Sequence, residues 1–328
     1  MSYNVYEGAD LTTAIGATTF EQLAADVGQM LANLQGTNPP ARAMAVASQI
    51  GKAQPTLVGL QEVTEWRTCP ATQDFSSCTA APTVLYDLLN LVKNALQSQG
   101  SSYNEVGRVT ANDLVAPTVI GGVPTLVFYT QRSAILARAD IDPSELQVSN
   151  VQSSQFENYL PLTILGQDFS VHRAWIAADV KFHDTSFRFI DTHLESFHPG
   201  INYLQGQELL DGPVAGTTLP VVIAMDSNSP ANLPSDPFAI TYANFLGNGF
   251  EDSWTEANPG AAGLTCCQLG TLLNPTSLVT TRVDLILLRG DLRANAAALF
   301  GGNTADRTGG VWPSDHVGVA ARLGSDDE

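Results

Sequence analysis

Apolar positions recur along the chain with two periods. Near the N-terminus, Leu23, Val27, Met30, Leu31 and Leu34 follow at helical spacing behind Thr18 and Glu21, a pair that fits a capping box. Asn38-Pro39-Pro40 interrupts that pattern, and a second helix is expected from Pro40 to about Lys52. Leu85, Leu88, Leu89, Val92 and Leu96 predict another amphipathic helix over about Thr83 to Gln97, ended by Gly100. Between and after these the period shortens. Thr56–Leu60, Thr125–Tyr129, Val171–Phe182 and Phe187–Asp191 read as strands, with His183 to Ser186 as the turn between the last two. A helix is expected from about Asn202 to Leu210. Leu219–Ala224 is almost wholly apolar, as in a strand covered on both faces, and Val283–Leu288 and Val317–Ala321 are two more.

Helices alternating with buried strands predict α/β layers around a shared core. No stretch is rich enough in Pro, Gly or Ser to divide the chain, so residues 1–328 are expected to form one catalytic domain. The weakest stretches, Gly212–Thr218 and Ser229–Asp236, read as active-site loops.

Composition narrows the function. Hydrophobic residues make up 44% of the chain, enough for a sizeable core. The net charge is -18, only three lysines occur (Lys52, Lys93, Lys181), and no Lys/Arg-rich run is present. That argues against a tight nucleic-acid-binding module. It leaves room for an enzyme that meets phosphate through a bound cation. No apolar run approaches the roughly 20 residues of a membrane helix. Cys69 and Cys78 flank a polar loop and could close a disulfide worth roughly 2–3 kcal/mol, or stay reduced. Cys266 and Cys267 are adjacent, a spacing that bridges only with strain, so thiols are the simpler expectation there.

Polar clusters stand at or near the ends of the apolar strands: Gln61-Glu62, Asp191-Thr192-His193-Leu194-Glu195, Asp226-Ser227-Asn228-Ser229, Arg282-Val283-Asp284 and Ser314-Asp315-His316, with Asn4 in the first possible strand. Each alone is weak, because a lone Glu after a strand is usually solvated and Asp-x-Asn is a common turn former. Together they hold what phosphoester hydrolysis needs. Glu62 is an oxygen ligand suited to Mg2+ or Mn2+. Asp226 can orient or deprotonate a water. Asn228, two residues on, can donate to a phosphate oxygen. Asp284 can hold the His316 imidazole, and His193 supplies a second histidine.

These motifs, in this order, resemble those of the endonuclease/exonuclease/phosphatase (DNase I-like) superfamily, which includes nucleases, sphingomyelinases and inositol-phosphate phosphatases. The resemblance runs from Asn4 to His316. It implies a four-layer α/β sandwich, two packed mixed sheets flanked by helices. It implies a divalent-metal-dependent phosphodiesterase using Mg2+, with Mn2+ or Ca2+ as alternatives. Asn4, Glu62 and Asp315 would lie at the metal. His193, Asp226, Asn228, Asp284 and His316 would be catalytic, and His193, Asn228 and His316 would also contact the phosphoryl group. The third motif departs from the family's usual Gly-Asp-Phe-Asn: Met225 stands in the glycine's place, where it would narrow the turn. The segment Tyr3–Leu11 resembles an often exported bacterial branch, so a secreted or periplasmic protein with its leader removed is expected, and a cytoplasmic one is the alternative.

The substrate is left among nucleic acid, phospholipid head group and small soluble ester, and no protein partner is implied. A lipid-directed enzyme should carry an exposed apolar hairpin, for which Val119–Val123 is the candidate; a buried turn is the other reading. A zinc hydrolase built on His193 and His198 competes weakly, since no His-Glu-x-x-His helix is present. A binding module on the same scaffold is the non-enzymatic alternative. His198 reads as a surface loop residue, and His172 and His183 as structural. Arg132 and Arg173 are each either a phosphate clamp or an ion-pair partner. Trp66, Phe197 and Trp312 read as cleft or as packing.

Overall fold

The computed structural model describes residues 1–70 and 75–325. Its elements in chain order are β1 (Ser2–Asn4), α1 (Thr12–Ile15), α2 (Phe20–Gly36), α3 (Pro39–Ala53), β2 (Leu57–Gln61), β3 (Glu65–Pro70), α4 (Phe75–Ala80), β4 (Thr83–Asp87) and α5 (Leu88–Ser98). The long hairpin β5 (Tyr103–Ile120) and β6 (Val123–Arg138) follows, then β7 (Leu146–Gln155), β8 (Leu160–Ile164), β9 (Gln167–Val171), β10 (Ala174–Phe182) and β11 (Thr185–His193). The chain continues through α6 (Pro199–Leu209), β12 (Val221–Asp226), α7 (Ala239–Gly247), β13 (Glu251–Asp252), α8 (Ser253–Ala257), β14 (Asp284–Arg289), β15 (Leu292–Phe300) and β16 (Gly318–Ser325).

The strands form two mixed sheets. One runs β15-β16-β1-β2-β6-β3-β4, with β5 paired to β6; the other runs β13-β14-β12-β11-β10-β7. Strand alternation assigns each apolar residue to a layer. Val222, Ala224, Ile286 and Leu288 meet Leu57, Ile135 and Val319 of the opposite sheet between the sheets. Val221, Ile223, Met225, Leu285 and Leu287 face the other way, against Leu209 of α6 and Phe245 of α7. On the outer face of the first sheet, Val58, Leu60 and Leu136 pack on Val46 and Ile50 of α3 and Leu89 and Leu96 of α5. The layers are therefore helix, sheet, sheet, helix, the four-layer sandwich expected.

Several expectations need correction. The helix predicted over Thr83–Gln97 is a strand followed by a helix: Thr83–Asp87 pairs with β3, and Asp87 caps α5 by accepting from Asn90 N–H. Thr19, not Thr18, is the N-cap of α2, accepting from Gln22 N–H, while Thr18 donates to the Gln22 side chain. The strand predicted over Val171–Phe182 breaks at His172-Arg173, where the chain passes from β9 to β10. Gly212–Thr218 leads into the start of β12, the end opposite Asp226, and so is not an active-site loop. Met225 points into the layer under α6 and α7 and does not narrow the turn after Asp226. Cys69 and Cys78 form a disulfide with Cα atoms 5.5 Å apart, and residues 71–74 of the loop they close lie outside the described residues. Cys266 and Cys267 are paired with each other. Val119, Ile120 and Val123 form an exposed hairpin tip, not a buried turn.

Candidate active site

The strand register builds the site before any side-chain contact is considered. His193, Asp226 and Asp284 are successive Cα partners across β11, β12 and β14. Asp226 and Asp284 share the inter-sheet face with Ala224 and Ile286 two positions away, and His193 shares it with Phe189 four positions back, so the three side chains stand side by side at the mouth of the sandwich. From the other sheet, Asn4 pairs with Gln61, and Glu62 follows at the end of β2. The turn before β16 brings Asp315 and His316; Ser314 ties it to β1 by donating to Asn4 O at 2.7 Å and accepting from His316 N–H at 3.1 Å.

The side chains then interlock. Asn4 Nδ2 donates to Glu62 Oε1 and to Asp226 Oδ2, both at 2.9 Å, while its side-chain Oδ1 accepts from Tyr6 N–H. Asn4 thus bridges the two carboxylates across the sheets. Asp226 Oδ2 lies 3.4 Å from His193 Nε2 and 3.7 Å from His316 Nε2. His316 Nδ1 is 2.8 Å from Asp284 Oδ2, the orientation expected of a carboxylate-held imidazole. Asn228 Nδ2 reaches His193 Nε2 and Leu194 O, each at 3.0 Å, and Asn228 N–H donates to Asp226 Oδ1. Three non-glycine residues here, Tyr6, Glu62 and Asn228, hold positive φ angles of 61°, 58° and 47°. Such conformations cost of order 1 kcal/mol or more each and persist where surroundings over-determine them, commonly at functional sites.

The two histidines are driven in opposite directions. Burial, then the Arg173 guanidinium, lowers His193 to about 4 against the pull of Asp226 and Glu62, so it is neutral at pH 7. Burial also opposes charge on His316, but Asp284, Asp226 and Asp315 outweigh it and hold the imidazolium well above the usual histidine range. Burial would raise Asp226, yet His193, His316, Asn4 and the Asn228 N–H together keep it low and ionised. Asp315, desolvated and close to Glu62, is pushed up to about 7.

The structure decides one residue the sequence left open, Arg173, and adds one it passed over, Glu7. Arg173 enters the site, with Nη1 3.1 Å from His193 Nδ1 and Nη2 donating to Ser196 at 3.0 Å. Glu7 donates its N–H to Glu62 Oε2 at 2.7 Å, and its carboxylate accepts from Tyr129 and Gln131. Its only sequence signal was proximity to Asn4. Burial and then Glu62 raise the Glu7 carboxyl well above the ordinary range. Other candidates fall outside. Arg132 is buried against Asp87 at 2.7 Å and Val63 O. His198 caps α6, accepting from Ile201 N–H, so the zinc set of His193 and His198 does not assemble. Asp191 lies between the sheets against Gln61, and Trp312 is buried beside Tyr6 and Leu272. Arg282 pairs with Asp252 and does not reach the site. Trp66 and Phe197 do line the cleft.

Among the described residues, Glu62, His193 and Asp226 form one group whose ligand atoms could share an ion, and Asp226, Asp284 and His316 another. Glu62 and Asp226 carry the hard oxygen donors that Mg2+ or Mn2+ prefers, and Asp315, expected at the metal, is in neither group. Burial is the main cause of the raised Glu7 and Asp315 carboxyls and Glu62 adds to both, a crowding of carboxylates that a cation would relieve. The residues fit a divalent ion. Cys267 Sγ also lies 3.8 Å from His316 Nε2, but Cys266 and Cys267 are bonded to each other and offer no thiolate to an ion.

No protein-family model matches the chain, and no curated protein matches it either. Solved structures do. A mannosyl-6-phosphatase of Bacteroides thetaiotaomicron superposes with a TM-score of 0.60 at 16% identity, over 98% of this chain and 97% of that one. An endonuclease/exonuclease/phosphatase family protein of the same organism gives 0.61 at 16% identity, over 98% and 95%. D. rerio TDP2, solved with a single-strand DNA product, gives 0.56 at 19% identity, over 88% and 93%. The two-sheet sandwich has the same fold as these structures, the DNase I-like fold.

Proposed function

We propose that this chain, as one catalytic domain, is a divalent-metal-dependent phosphoester hydrolase acting on phosphodiesters. The observation that carries the reading is the row His193–Asp226–Asp284, joined by His316 and faced by Asn4 and Glu62 from the opposite sheet. Titratable neighbours whose environments push them apart mark acid and base roles.

The ion would be held by Glu62 with Asp315, and Asn4 would orient Glu62 beside it. When bound, it supplies positive charge to the phosphate oxygens. The chain's own residues do the rest. Ionised Asp226 orients the attacking water and accepts its proton. Asn228 Nδ2 donates to a non-bridging phosphate oxygen. Neutral His193, steadied by Arg173, contacts a second. The His316 imidazolium, fixed through Nδ1 by Asp284, donates Nε2–H to a phosphoryl oxygen and stabilises the charge that develops as the P–O bond to the leaving group breaks. The Cys69–Cys78 disulfide favours an oxidising compartment, and with it the exported location. No helix among the described residues is long and apolar enough to cross a membrane.

The test is turnover of chromogenic phosphate mono-, di- and triesters with Mg2+, Mn2+ or EDTA, beside His316→Ala. Diesterase activity that requires the ion and falls at least about 100-fold in the variant is expected. Activity indifferent to EDTA, or to the substitution, would overturn the reading.

A further inference from the structure

The carboxylates and histidines form only one end of a cleft of about 440 Å3. That volume is in the range of small-molecule sites, roughly 300–1,000 Å3. Most of its remaining lining is apolar, and three separate elements supply much of it. Leu23, Val27 and Met30 of α2 form one, and Leu114 of β5 with Val127 of β6 form a second. The third is the β8–β9 hairpin, which pairs with no other strand among the described residues. In its register Leu160 faces Val171 and Leu162 faces Phe169. These four side chains and Ile164 share one face of the ribbon, and all five line the cleft. The opposite face is polar at its centre, where Thr163 donates to Asp168 at 2.8 Å.

Charge narrows the occupant. Arg173 is the one lysine or arginine among the described lining residues, and it is engaged beside His193; Glu7, Asp10, Glu62, Asp226 and Asp315 are the acids there. A polynucleotide track would need cations along its length and aromatic platforms for bases. Trp66, Phe169 and Phe197 offer rings, but no row of cations accompanies them among the described lining residues; apolar walls leading away from an acidic floor suit an uncharged chain attached to a phosphate.

We propose that the cleft is a subsite for the alkyl or acyl chain of an amphiphilic phosphoester, bound as a monomer, with its phosphate on His193, Asn228 and His316 and the β8–β9 ribbon closing over the chain. The assignment rests on the phosphoesterase reading for where the phosphate lies. The apolar walls stand without it.

The experiment has two arms. In the first, calorimetry measures methylphosphonate and octylphosphonate binding, below the micelle concentration and with Mg2+, to the intact protein and to His316→Ala. Each buried methylene is worth up to about a fourfold gain, so the octyl compound should bind at least about 30-fold more tightly to both proteins. In the second, kcat/KM is compared for p-nitrophenyl methyl and p-nitrophenyl octyl phosphate, which share a leaving group, and should favour the octyl ester by a similar ratio. Leu162→Asp and Phe169→Ser, each checked for an unchanged melting transition, should bring both ratios to within about threefold of unity. Equal binding of the two phosphonates overturns the subsite, as does a full octyl preference in both variants. Chain-length-dependent binding without turnover of any ester supports the subsite and refutes the phosphoesterase reading. Turnover of both esters at equal kcat/KM does the reverse.

Discussion

Asp284→Asn is the substitution that most directly probes the site. Asp284 is buried, its Oδ2 lies 2.8 Å from His316 Nδ1, and its Oδ1 has no hydrogen-bond partner. Asparagine keeps the size and an acceptor oxygen but removes the charge. A hydrogen bond to a charged group contributes about 1.5–3 kcal/mol. At about 1.4 kcal/mol per pKa unit, losing that contribution lowers His316 by about one to two units. Because the folded value is raised, the imidazolium and the stability it brings are fully present below 6.5 and are lost as pH rises through the elevated value. The alkaline limb of kcat/KM against pH should therefore sit well above 7 in the parent and move down in the variant. At pH 7 the loss should be about 10- to 100-fold, the rate equivalent of that contribution. Added to His316→Ala, the substitution should cost little more, since residues acting as a unit are strongly non-additive. An alkaline limb that stays in place, or an undiminished further loss in the His316→Ala background, would refute the role given to this pair.

Four other outcomes test the surrounding frame. Asp191 is buried with one oxygen unpartnered, and burial raises its pKa above 3.8 although Gln61 opposes this; the parent should lose stability as pH rises through that elevated value, and Asp191→Asn, measured by urea unfolding, should be neutral or stabilising by about 1–2 kcal/mol at pH 7. Gly59→Ala would drive a Cβ into the Asp191 carboxylate from the facing sheet, so a loss of about 1–3 kcal/mol is expected, and an unchanged urea midpoint would contradict the inter-sheet spacing. Replacing Cys69 and Cys78 together by serine should lower stability by about 2–3 kcal/mol, most of it also lost by the parent under reducing conditions. The Arg188 fork at 2.7 and 3.0 Å holds Asp179 below 3.8; that contribution is present above 3.8 and lost as pH falls through the depressed value. Asp179 is partly exposed, so Asp179→Asn should cost no more than about 1 kcal/mol at pH 7 and should flatten the acid limb of stability.

What the sequence disclosed and what it concealed divide along a physical line. The row His193–Asp226–Asp284 was legible because its members stand at the ends of strands that carry apolar runs, and alternation decides which face each takes. In β12, Ile223 and Met225 go under the helices while Ala224 and Asp226 go between the sheets. A slip of one residue would place Met225 at the mouth and bury Asp226 against α6. Order along the chain therefore translated directly into a cluster in space. The helix predicted over Thr83–Gln97 failed where two elements happen to share a period: Leu85 in β4 lies three residues before Leu88 of α5, although Asp87 between them is an N-cap signal. The cleft was hidden for a stronger reason. Its walls take a few residues each from α2, the β5–β6 arm and the β8–β9 ribbon, and Leu160, Leu162 and Ile164 read simply as one apolar face of a short strand. Nothing local distinguishes an apolar face that packs on protein from one left open to a ligand. Arg173 was equally ambiguous between clamp and ion pair until the break after β9 turned it toward His193. Reaction chemistry is written in residue types that few other roles require at strand ends. Substrate choice depends on which ordinary apolar faces the fold leaves without a partner, and that becomes visible only once the layers are assembled.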